Sequence, residues 1–242
     1  NKLEVIYKTF IENEKLGLFK NPVKYVNEYG KEGSSIFIFP KEPITITPKD
    51  LNLDVLGELI GKYGVEFNSS SMSFRKEDIS KYLDYLREVK LAVDNFIGFL
   101  FLFTNKVIIW NQPLSMYRVL LSSTTRNFAS LDQYIKIRSS AVRIGYEDYV
   151  TIYKALRNSG FGELLEKHIN FQKLSAKLWS INSNDITLTL KEVLNAMPLD
   201  DPKFPKRTIM LTYLASFLPY SLKKKLVYKR FYKKELIKFK FI

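Results

Sequence analysis

One apolar run restricts the fold more than anything else in this chain. Phe96, Ile97, Gly98, Phe99, Leu100, Phe101, Leu102 and Phe103 follow one another between Asp94-Asn95 and Thr104-Asn105-Lys106. A membrane-spanning helix needs about 20 predominantly apolar residues, so this polar-flanked run is too short to span by itself. It must be buried in protein instead, which predicts the most enclosed part of a globular fold. The chain has 242 residues, 46% of them hydrophobic, enough for one large or two small domains and too apolar for wholesale disorder. No basic stretch leading into an apolar run and a small-residue cleavage site occurs, so no membrane association and a cytoplasmic location are expected.

Composition then removes most chemistries. With 0 Cys there is no disulfide, thiolate zinc site, iron–sulfur cluster or cysteine nucleophile, and 1 His excludes poly-histidine metal sites. No Gly-rich phosphate loop occurs. Carboxylate-held metals survive this cut. Glu88 and Lys90, with Asp84 upstream, resemble the Glu-x-Lys of metal-dependent nucleases, but that pair needs a strand and here falls in a helical pattern. Asp200 and Asp201 could join Glu192 around an ion, yet Asp-Asp-Pro is turn chemistry. His168, at the edge of an apolar helix face, reads as a surface or packing histidine and not a catalyst. No catalytic residue, metal ligand or cofactor is assigned, and a non-enzymatic protein is expected.

Periodicity predicts an α+β, predominantly helical fold. Helices are expected from Leu3, Ile6, Phe10 and Ile11, from Asn21-Pro22 to Gly30, and over 51–60, with strands at 36–39, 44–47, 65–74 and 107–110. Ile79, Tyr82, Leu86, Val89, Val93, Phe96, Leu100 and Phe103 recur at three- and four-residue steps, predicting one long helix over 76–103. Pro113 opens further helical material to Leu121. Ser130 with Gln133 forms a capping box, and a helix is expected from Gly145 to Gly160. The expected division is a mixed α+β domain over 1–145, organised on that long helix, and a second domain over 146–242.

The formal net charge is +13, and it is unevenly placed. Residues 221–242 hold nine basic side chains (Lys223, Lys224, Lys225, Lys229, Arg230, Lys233, Lys234, Lys238, Lys240) against Glu235, a net +8. Residues 115–143 add Arg118, Arg126, Lys136, Arg138 and Arg143 against Asp132, a net +4. A nearly neutral body with two basic segments points to a polyanionic partner, because clustered Lys and Arg gain free energy by releasing phosphate counterions. The hydroxyl-rich stretch Ser122, Ser123, Thr124, Thr125 beside Arg126 carries phosphate-contact residue types.

The last third runs helix (163–181), short strand (185–189), helix opened by the Thr189–Glu192 capping box, helix (206–217), then two basic β-rich segments, 225–232 and 236–242, with Lys233-Lys234-Glu235 as a tip. This order resembles the winged helix-turn-helix fold. The resemblance implies a recognition helix whose start carries Lys206, Arg207 and Thr208, with Thr212 and Ser216 on the same exposed face, and a basic β-ribbon as wing, with Lys229, Arg230, Lys233 and Lys234 reaching phosphates. The link over 198–205 is longer than the motif's usual turn. The expected function is non-enzymatic DNA or RNA binding, as a replication, transcription or mobile-element factor. The alternative is a subunit of a larger nucleoprotein complex, such as a CRISPR-type effector, meeting protein partners through helix 76–103. A carboxylate–metal nuclease is a remote third.

Overall fold

The computed structural model describes residues 1–27, 29–33, 37–118, 128, 130–181 and 185–240, with the side chains of 235–240 outside the description. The fold is α+β and predominantly helical. The amino-terminal part contributes α1 (Lys2–Glu12), β1 (Leu16–Lys20), β2 (Val23–Val26), β3 (Ile44–Ile46), α2 (Leu53–Gly61), β4 (Met72–Phe74), α3 (Lys76–Ser80), α4 (Leu83–Glu88), α5 (Val93–Thr104), β5 (Lys106–Ile109) and β6 (Ser115–Arg118). Then come α6 (Leu131–Leu156), α7 (Gly162–Trp179), α8 (Leu190–Asn195), α9 (Lys206–Ser216), α10 (Tyr220–Lys223), a wide π turn (Lys224–Tyr228) and α11 (Lys229–Lys240).

Four strands form a mixed sheet in the order β3-β5-β1-β4, with β1 parallel to β5 and antiparallel to β4. After Asn21 and Pro22 the chain continues as β2, parallel to β6 in a two-stranded extension. Alternation, reset by a register shift between Leu16 and Leu18 of β1, divides the sheet's faces. Leu16, Phe19 and Ile108 meet Ile6 and Phe10 of α1, while Leu18, Val107 and Ile109 join the main core under α5 and α2. Helix α5 is enclosed as the apolar run requires, every residue from Phe96 to Phe103 being buried. Gly98 lets the 65–67 segment cross it, since a Cβ there would fall 2.5 Å from the Glu66 Cα. The far side of α5 receives Ile152 and Leu156 of α6 and Leu165 of α7. The expected division at 145/146 falls inside α6, and the main core takes residues from both sides of it. Among the described residues, no helix is long and apolar enough to cross a membrane.

Several expectations are corrected. The long helix 76–103 is three helices, broken once at Lys81–Tyr82 and again before α5, where Asp148 of α6 accepts the amides of Lys90 (2.9 Å), Leu91 (2.7 Å) and Ala92 (2.8 Å) and turns the chain. Its seam residues still face inward, from Ile79 to Phe103, so they form core and not a protein-partner surface. Residues 23–26 are strand, because Val23, Tyr25 and Val26 pack when paired with β6, and 115–118 are strand for the same pairing. The 185–189 segment is irregular, and the expected strand over 36–39 lies partly outside the described residues, with 37–39 irregular.

The wing is corrected too: residues 220–240 are helical throughout. The alternation at 237–241 suggested a strand, but Tyr220, Val227, Tyr228 and Tyr232 recur at helical spacing and pack with Tyr134, Ile135 and Trp179. Trp179 and Tyr228 stack at 4.8 Å. That packing needs the helix.

Candidate nucleic-acid interface

Four helices leave an open groove of about 1060 Å³ between them. Each contributes residues at three- and four-residue steps, the spacing of a single helix face. Helix α6 supplies Arg138, Ala141, Val142, Gly145 and Tyr149; α7 supplies Phe171, Gln172, Ser175, Leu178 and Trp179. Helix α9 adds Thr208, Leu211, Thr212 and Ala215, with Phe204 just before it, and the carboxyl-terminal helix closes the fourth side with Leu226, Val227, Arg230, Phe231 and Lys234. Asn95 of α5 completes the lining, which among the described residues holds three cations and no carboxylate. Phe231 is 41% exposed, its ring tilted by 48° against that of Trp179 at 5.6 Å.

The structure sorts the expected binding residues into groups. Arg138, Arg230, Lys234, Thr208 and Thr212 line the groove. Lys225, Lys229 and Lys233 form an exposed row beside the groove-facing Leu226, Arg230 and Lys234, and Lys136 is exposed on α6. Arg143 is exposed but pairs with Glu147 at 3.5 Å, and Lys224 pairs with Asp132 at 2.6 Å, which raises its pKa. That Lys224–Asp132 pair ties the two basic segments together. Arg207 is exposed outside the lining, whereas Ser216, expected on the exposed face of α9, is fully buried and donates to the Tyr213 carbonyl at 2.7 Å. Lys206 bonds the Leu194 (2.8 Å) and Ala196 (3.1 Å) carbonyls at the end of α8. Arg118 stands on β6, in the sheet extension, away from the lining. Arg126 and its hydroxyl-rich loop, and the Lys238 and Lys240 side chains, lie outside the description.

Lys223 is corrected outright. It is 0% exposed and donates to the Ser180 carbonyl at 3.2 Å, while Tyr228, five residues on, donates to Leu178 at 2.8 Å. The π turn aligns residues five apart, so both donors reach the carboxyl end of α7, where a cation also opposes the helix dipole. Burial lowers the Lys223 pKa, and neighbouring Lys177 lowers it further.

Chemistry is sparse elsewhere. Burial holds His168 down at about 4, so its ring is neutral at pH 7. Its Nδ1 accepts the Leu199 amide at 3.0 Å, which leaves the proton on Nε2, 3.0 Å from the Gln172 amide group. It is a packing histidine between α7 and the 197–199 segment. Glu88 ends α4 and Lys90 sits in the following loop, so the Glu-x-Lys pair has no strand. Among the described residues, no cluster of three or more His, Asp or Glu could hold a metal. Lys20 is buried and donates to the Phe67 and Asn68 carbonyls and the Ser71 hydroxyl. Burial pushes Lys20 down to about 8, and pushes nearby Glu66, whose Oε2 is buried without a hydrogen-bond partner, up to about 8.

Sequence reasoning did not find the groove's aromatic and aliphatic floor. The signal was available in the 226/227, 230/231, 234 steps, which are helical, but β-forming residue types in that stretch masked them. Comparison with known protein families, with characterised proteins and with solved structures finds no match to this chain.

Proposed function

We propose that this is a nucleic-acid-binding protein whose site is the groove between α6, α7, α9 and the carboxyl-terminal helix. The observation that carries this reading is the convergence of the two basic segments. Arg138 and the pair Arg230 and Lys234 are far apart in sequence, yet they line one groove with no acid in it among the described residues. Clustered cations without local carboxylates attract phosphate and release its counterions. Lys225, Lys229 and Lys233 extend the basic surface beside the groove. Catalysis is not part of the reading, since the groove has no nucleophile–base pair and its phenol, Tyr149, is held further toward the neutral form by burial.

The test is the salt dependence of binding. Replacing Arg138, Arg230 and Lys234 together by Gln should flatten the log–log slope by about 2 on a single strand, at ~0.7 per lost phosphate contact. An unchanged slope would place the binding surface elsewhere. A second reading, a subunit of a larger nucleoprotein assembly, is favoured by Leu214, Phe217 and Leu222, large apolar side chains exposed along α9 and α10 outside the groove.

A further inference from the structure

Resting on that reading, we infer that the groove takes a single strand with its bases turned inward, and not a duplex. The cations share the groove with Phe171, Phe204 and Phe231 and with the aliphatic side chains Leu211 and Leu226. A duplex hides its base faces in its own stack and presents sugars and phosphates, which gain nothing from an apolar floor. A single strand presents both a charged backbone and π faces, and a groove combining cations with aromatic rings answers both. Phe231 is placed for this. It lies one residue from Arg230 and three from Lys234, so a base stacked on its ring keeps its phosphate within reach of a cation.

The elements that would read a duplex are missing from this end of the molecule. The start of α9, which the winged-helix resemblance would lay in a major groove, has Lys206 tied to the end of α8, and Thr208 and Thr212 face the concave lining. Among the described residues no β-ribbon follows α9. Two of the groove's hydroxyls are turned to local partners: Ser175 donates to the Phe171 carbonyl at 3.0 Å and Thr212 to the Thr208 carbonyl at 2.8 Å. Gln172 is engaged by His168. Few groups remain to read base edges, so the site is tolerant of sequence, as stacking platforms are.

Fluorescence anisotropy with a labelled oligothymidylate, an oligouridylate and a mixed-sequence duplex, each ~12 nucleotides long and so within the site sizes of single-strand grooves, tests this. Both single strands should bind at least ~10-fold tighter than the duplex at the same salt. Phe231→Ala should weaken single-strand binding roughly 5- to 150-fold, and Phe231→Trp, which keeps a stacking face, should restore it. Circular dichroism and thermal melting would establish that both variants fold. Duplex binding as tight as single-strand binding, with Phe231→Ala silent but the cation variant still flattening the salt slope, would overturn the single-strand inference and leave nucleic-acid binding standing. No salt-dependent binding of any probe would overturn both.

Discussion

Asp148 shows how much a single side chain can decide. Its buried carboxylate accepts three consecutive backbone amides, those of Lys90, Leu91 and Ala92, and so fixes where α5 begins. Hydrogen bonds to a charged acceptor contribute about 1.5–3 kcal/mol each, so Asp148→Ala should lower the free energy of unfolding by at least about 3 kcal/mol, read by urea denaturation. A loss well under 1 kcal/mol would mean those amides find other partners. Glu66 makes a pH prediction. Its folded pKa, about 8, lies above the 4.5 of the free side chain, so its protonated form is favoured by folding. That stability is fully present below about pH 4.5 and is lost as pH rises through 8. His168 works in the opposite sense, its folded pKa of about 4 against 6.5 removing stability as pH falls between those values. The difference in unfolding free energy between the native chain and Glu66→Gln should therefore fall steadily from pH 5 to 8, the range that its 4.5 and 8 bracket. Parallel curves would show that Glu66 is not held protonated. Neither Asp148 nor Glu66 stood out in the sequence, because their roles depend on segments brought to them by the fold.

The element that differs most from its sequence pattern is the carboxyl-terminal helix. Ile237, Phe239 and Phe241 alternate with lysines, and that local pattern argued for a strand. What decides the conformation is the longer-range face of Tyr220, Val227, Tyr228 and Tyr232 against Trp179 and Tyr134, which a period of two cannot provide. The same helix separates two kinds of lysine that look alike in sequence. Lys223 points into the protein and bonds the Ser180 carbonyl, whereas Lys229 is exposed on the outer row. Lys223→Ala should cost about 1.5–3 kcal/mol of stability through its lost charged hydrogen bond and leave the salt slope of binding unchanged. Lys229→Gln should leave thermal stability unchanged and flatten the slope by up to ~0.7. A Lys223 variant that flattened the slope would contradict the buried placement. Elements with strong local signals were legible: the Thr189–Glu192 capping box opens α8, Ser130 caps α6, and the apolar run forms α5. The seam over 76–103 was legible as buried but not as broken, because no Gly or Pro in the seam marks either break and the one before α5 is imposed by Asp148.

Across the whole molecule, the sheet and its covering helices act as a platform from which α6 and α7 extend, and the charge gathers where the carboxyl-terminal helix returns to α6. Two basic segments could be read from the sequence, and so could the expectation of an anionic partner. Their meeting in one groove could not, since it depends on the Lys224–Asp132 pair and on Tyr228 and Tyr232 docking beside Tyr134 and Trp179. Some of the basic residues found there also have structural work, as Lys223 and Lys206 do, which net charge alone conceals. The most direct test of a shared site is photocross-linking with a single strand in which 5-bromouridine replaces uridine, followed by peptide mapping. Cross-links should appear in peptides from both sides of the groove, around 138–149 on α6 and 226–234 on the carboxyl-terminal helix, and should vanish in the Arg138, Arg230 and Lys234 to Gln variant. Cross-links confined to β6 around Arg118, or to either basic segment alone, would contradict a single site built from both.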